Sequence, residues 1–167
     1  MLMQRDVLFD KLKIKQGGVF NFDELYKALF RWFEAYGYSF HEDEYKEIQS
    51  EKGKQLEILW TSERIFDPYV KFVIETNFFI TGLVDVEVEQ EGIKVKTNKA
   101  TIEFRISAYL VKDYKQEFEK NNLLKNLRII WDKILFRKRM EQYEDILYEE
   151  ANNYMDEIKA FLNLYHF

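Results

Sequence analysis

The chain has 167 residues, 47% of them hydrophobic and 33% charged, with a net charge of −5 and no cysteine. That length fits a single domain with a sizeable core, and the balance of residues excludes both a disordered chain and a membrane-resident one. The missing cysteine excludes disulfides, thiolate metal ligands and cysteine nucleophiles, and the negative charge argues against a general nucleic-acid binder.

The 15 Phe, 11 Tyr and 3 Trp must lie mostly in the core, because patches of exposed aromatics would aggregate or bind something. Residues 1–6 meet charge at once and hold no apolar run of signal length. No stretch of about 18 apolar residues offers a membrane span, so a cytoplasmic location is expected. Richness in Lys and Glu, with one Pro and six Gly, resembles the composition of heat-adapted proteins.

Residues 4–15 read as a strand through Val7, Phe9, Leu12 and Ile14, with a slip in the alternation between Phe9 and Leu12. Gly17-Gly18 is expected to break the chain and lacks the spacing of a phosphate loop. Asn21 and Glu24 form a capping box for a helix over 22–36. Its apolar face comprises Phe22, Leu25, Tyr26, Leu29, Trp32, Phe33 and Tyr36, and Gly37 is placed to end it.

Strands are expected over 38–49, 55–65 and 69–89, with turns at Glu51-Lys52-Gly53 and Asp67-Pro68. In the third, Val70, Phe72, Ile74, Phe78, Ile80, Val84, Val86 and Val88 share even parity and are expected on one face. A two-residue turn at Glu91-Gly92 pairs Gln90 with Ile93, Glu89 with Lys94, Val88 with Val95 and Glu87 with Lys96. The returning strand changes parity between Val95 and Ile102, which calls for a bulge around Thr97–Ala100.

The last third reads as helical, with Asp113 as cap and Gln116 completing its box. Leu123, Leu124, Leu127, Ile130, Trp131, Ile134 and Leu135 form one apolar stripe. A second, of Met140, Tyr143, Leu147, Ala151, Tyr154, Ile158, Phe161 and Tyr165 together with Phe136, lies on the opposite side of the same ideal wheel. The helix therefore either breaks near Phe136–Arg139 or continues with one side on its own sheet and the other against a partner.

No constellation carries a catalytic signature. His41-Glu42-Asp43-Glu44 on a strand alternates its faces and reads as a solvated acidic strand. With His166 the only other histidine, a histidine-based metal site is not expected. Carboxylates such as Glu75 and Glu103 lie on strands without a visible shared cleft, and none of Ser39, Ser50, Ser62 or Ser107 sits in a Gly-x-Ser-x-Gly elbow. No cofactor is implied.

Charge in the C-terminal region is polarised. Residues 112–139 carry nine Lys/Arg and four Asp/Glu, a net of +5, whereas 140–167 carry one Lys and seven Asp/Glu, a net of −6. Three readings fit: a solvated face, pairing of basic and acidic segments within a hairpin or across a homodimer, and a basic surface for nucleic acid or anionic lipid. The candidate basic patch is Lys125, Arg128, Lys133, Arg137 and Arg139, while Lys138 intrudes on the apolar side.

The fold class expected is α+β in one domain: an N-terminal helix on a long-stranded antiparallel meander within 1–112, then a long or broken helical region over 113–165. The element order resembles that of helix-grip folds, and the resemblance implies a curved sheet around a helix with an apolar ligand cavity. The expected function is a non-enzymatic protein-interaction or self-associating module. Its candidate interaction surface is Tyr143, Leu147, Tyr154, Ile158 and Phe161, to be exposed in the monomer. The alternatives are a binder or enzyme for a small apolar ligand held between sheet and helix, and nucleic-acid or anionic-lipid binding through 125–139.

Overall fold

The computed structural model describes residues 4–117, 120, 122–130, 133 and 137–164. The elements are β1 (Arg5–Phe20), α1 (Phe22–Ala35), β2 (Ser39–Ser50), β3 (Gly53–Ile65), β4 (Val70–Gln90), β5 (Ile93–Lys112), α2 (Asn122–Ile130) and α3 (Arg137–Leu164). All five strands form one antiparallel sheet in the order β1-β5-β4-β3-β2. The α+β class expected from the sequence is the one observed.

Period-2 patterning builds the core face. Leu56, Ile58 and Trp60 of β3 pair with Ile80, Phe78 and Thr76 of β4, which pair with Ile102, Phe104 and Ile106 of β5. These side chains are all buried, and Phe78 meets Phe104 and Trp60 edge-on at 5.0 and 4.5 Å. Helix α1 covers this face with Leu25, Leu29, Trp32 and Phe33, and α3 with Met140, Leu147, Ala151, Tyr154, Ile158 and Leu162. The helices touch through Phe33 and Tyr154, whose rings lie 4.6 Å apart. One core thus joins sheet, α1 and α3. Phe79, on the outer face, instead lies under the Arg105 guanidinium at 4.7 Å.

Asn21 caps α1 as its sequence requires: its side chain accepts the Glu24 N–H at 3.0 Å, and Gly37 leaves the helix with φ +77°. Gly17-Gly18 does not break the chain. Both glycines stay paired, with Thr101 and Ala100, and β1 runs on to Phe20. The slip between Phe9 and Leu12 is real and is one of two irregularities in β1, with Lys11 at φ +50°.

The β4–β5 register is the one expected, from Glu87–Lys96 through Gln90–Ile93, closed by Glu91 and Gly92 in left-handed conformations. The bulge is on the other strand. The extra residue falls in β4 between Thr81 and Val84, at Gly82 with φ +66°, not at Thr97–Ala100. Its consequence is that Val84, Val86 and Val88 do not share the face of Val70–Ile80. They turn to the outer face with their partners Val95 and Thr97. Asn98 marks the opposite side, where its carbonyl accepts the Phe22 N–H of α1 at 3.1 Å and its amide donates to Asp85 at 2.9 Å.

Asp113 does not start a helix. It sits at φ +47°, buried, and its Oδ1 accepts the Glu117 N–H at 2.9 Å within a loop. The first described helix of the C-terminal region starts only at Asn122. Arg137–Arg139 belong to α3, whereas Trp131, Ile134, Leu135, Phe136, Tyr165 and His166 lie outside the described residues.

Candidate interaction surface

The second apolar stripe of the C-terminal region is not exposed as expected. Leu147, Tyr154 and Ile158 are fully buried, and Tyr143 and Phe161 pack half-buried against the same core. The proposed surface of Tyr143, Leu147, Tyr154, Ile158 and Phe161 is therefore the inner face of α3, occupied by the sheet and α1. Polar bonds hold it there: Tyr143 donates to Asp67 at 2.8 Å, and Tyr154 shares a 3.1 Å bond with Thr76. Beyond its basic first turn, Arg137–Arg139, α3 shows a mainly acidic face to solvent, with Glu141, Asp145, Glu149, Asp156 and Glu157 exposed beside Tyr148.

Helix α2 buries no residue at all. Leu123, Leu127 and Ile130 are 69%, 47% and 53% exposed. At 100° per residue they fall within about 60° of arc and form a ridge. Lys125 and Arg128 lie on the far side of that helix.

The way β5 ends positions α2. Lys112 donates its N–H to the Gln4 carbonyl at 3.2 Å and its Nζ lies 2.6 Å from Asp6, which fixes the chain end against β1. Asp113 then places its second carboxylate oxygen 3.9 Å from Arg128 of α2. Between these parts runs a groove of about 650 Å³ lined by Gln4, Lys112, Arg128, Ile129, Lys133 and Arg137. Lys112 and Arg128 are mostly enclosed at its base, with side chains 11% and 20% exposed, while Lys133 and Arg137 stand open at its rim.

Of the predicted basic patch, the groove gathers Arg128, Lys133 and Arg137. Lys125, half-buried, and Arg139, exposed, are not part of its lining. Gln4 and Lys112 were not legible as members, since only the pairing of β1 with β5 brings the first strand to this place. Asp6, Asp113 and Glu141 (3.7 Å from Arg137) offset part of the positive charge, so the surplus belongs to the whole basic segment.

Elsewhere the polar groups serve the fold. Glu42 lies on the helix-facing side with Phe40, where it accepts from the Tyr26 hydroxyl and from Trp60 Nε1 at 3.1 Å, and the register shift after it turns Glu44 to the other face. Burial and then that carboxylate raise the Tyr26 phenol above its ordinary value. Asp43 instead accepts from Thr61. Glu75 accepts from Tyr109, and Glu103 pairs with Arg105 and Lys13. Burial opposes ionisation of Glu103, but the two cations outweigh it and hold its carboxyl below the usual range. Among the described residues no three His, Asp or Glu side chains are grouped to hold a metal ion.

The space between sheet and helices, where a helix-grip ligand would sit, is occupied by Phe33, Trp60, Phe72, Phe78, Phe104 and Tyr154. A cleft of about 510 Å³ opens instead at the edge of the sheet, beside Phe22, Tyr45, Leu56 and Leu83. No family model, curated protein or solved structure matches the chain.

Proposed function

We infer that this protein is a non-enzymatic docking module whose contact surface is α2 together with the basic groove beside it. The observation that carries the reading is the exposed ridge of Leu123, Leu127 and Ile130 on a helix with no buried residue. A nine-residue helix gains little from its own hydrogen bonds in water and owes its stability to packing of its apolar face. In α2 that face is turned away from the fold, so a second surface is the natural source of such packing. The scaffold of sheet, α1 and α3 presents the helix, anchored through Asp113 and Arg128.

Site-specific photocrosslinking tests this. Benzoylphenylalanine in place of Leu127 should give a discrete adduct in the cells that make the protein. The same group at Glu91, exposed on the β4–β5 turn, should give none. Lys133→Glu with Arg137→Glu should remove the adduct at 127. No adduct at 127 with either protein or lipid, or equal adducts at both positions, would overturn the reading.

A further inference from the structure

We propose that the surface docked by α2 is an anionic lipid bilayer, with the Leu123–Leu127–Ile130 ridge seated in the acyl boundary and lipid phosphates drawn into the groove of Lys112, Arg128, Lys133 and Arg137. The inference rests on the docking reading above and adds the chemistry of the partner.

Two neighbouring features of unlike character point to the same occupant. Among the described residues the ridge is purely aliphatic, on a helix about 13 Å long. Protein interfaces concentrate aromatics and Met in their centres, whereas a helix at a membrane surface needs only an apolar ridge with Lys and Arg on its polar side. Here Lys125 and Arg128 stand on the side of α2 away from the ridge, and Lys133 and Arg137 follow the helix in the chain, so the ridge lies deep while the long basic side chains keep their charge at headgroup level. The second feature is the groove. A concavity of about 650 Å³, with cations at its base and rim and the apolar Ile129 in its wall, accepts a protruding phosphate headgroup.

Charge distribution sets the orientation. The basic segment carries +5 in a chain of −5, so the remainder carries −10 and is on balance repelled by an anionic surface. The acidic outer face of α3 is on that repelled remainder. No described helix is long and apolar enough to cross a bilayer, so the contact is peripheral.

The test is co-sedimentation of the full chain with phosphatidylcholine vesicles, with and without about a third phosphatidylglycerol. Binding should appear with the anionic vesicles, fall steeply with added salt, and be at least roughly a hundredfold weaker to neutral ones. Lys133→Gln with Arg137→Gln, and separately Leu123→Ser with Leu127→Ser, should each weaken it by roughly tenfold or more. Both pairs are exposed, so unchanged melting midpoints should accompany those losses. Equal binding to both vesicle types, or binding indifferent to either pair, would overturn the proposal. No vesicle binding together with a protein adduct at position 127 would overturn the lipid and leave the docking module standing. No vesicle binding and no adduct would remove both.

Discussion

At the scale of single residues, α3 is tied to the rest of the molecule by a few buried polar contacts with unequal consequences. Arg64 of β3 reaches Glu150 of α3 at 2.5 Å and donates to the Tyr36 carbonyl at 3.2 Å, with its guanidinium over the rings of Tyr38, Phe66 and Phe72. Glu150 also accepts from Tyr38 at 2.6 Å. Both side chains of the ion pair are largely enclosed, so removing one partner strands the other charge. Glu150→Ala should cost about 3 kcal/mol in urea unfolding, and Arg64→Met with Glu150→Leu should cost less than that single change. A double variant less stable than Glu150→Ala would show the pair to be a net source of stability. The Thr76–Tyr154 bond follows the same logic on a neutral pair. Tyr154→Phe should cost about 1–2 kcal/mol by leaving a buried hydroxyl alone, and adding Thr76→Val should recover part of the loss. Additive costs in a double-mutant cycle would refute the coupling.

At the scale of elements, the β2–β3 turn and the β4 bulge are built against each other. A Cβ on Gly53, at φ +113°, would lie 2.8 Å from the Leu83 carbonyl oxygen and 2.8 Å from Val84 Cγ1. One on Gly82, at φ +66°, would meet nothing nearer than the Lys52 carbonyl at 3.5 Å. Gly82→Ala therefore adds backbone strain alone, about 1 kcal/mol, whereas Gly53→Ala adds a collision with backbone and should cost about 3 kcal/mol. Equal melting midpoints for the two variants would contradict this geometry. The same locality explains what was legible in the sequence. The α1 cap and the Glu87–Lys96 register are written in residues a few positions apart, and both are found as expected. Parity alone could say that one extra residue was needed between Ile80 and Ile102, but not on which strand. Gly82 was the unused signal, a residue able to take a positive φ inside a strand. The helical stripes failed for another reason. A hydrophobic face identifies what prefers to be covered, and says nothing about whether the chain or a partner covers it; only the approach of α3 to α1 and the sheet decided that Leu147 and Tyr154 are core.

At the scale of the whole molecule, the abundance of tyrosine makes the fold sensitive to alkali. Burial pushes the Tyr38 phenol above its ordinary value, and the Glu150 carboxylate adds to the effect. Burial does the same to Tyr154, against a smaller opposing effect of its Thr76 bond. Tyr26 and Tyr109 shift in the same direction beside Glu42 and Glu75. Unfolded tyrosines ionise near pH about 10, so below that pH both states hold these protons and the contribution is fully present. Above it the unfolded chain releases protons that the folded chain retains. The unfolded state then binds fewer protons, and stability falls as pH rises toward the folded-state values. Tyr38, Tyr109 and Tyr154, the three that are buried, together set a slope of about 4 kcal/mol per pH unit once the unfolded phenols are ionised. Urea midpoints should be level between pH 8 and 9.5 and drop steeply above about 10.5, while tyrosinate absorbance of the folded chain shows a fraction ionising only with unfolding. Tyr154→Phe should flatten that drop by about a third, because it removes one of the three buried protons, whatever it costs at neutral pH. A drop of unchanged steepness in this variant would place the alkaline sensitivity outside the core.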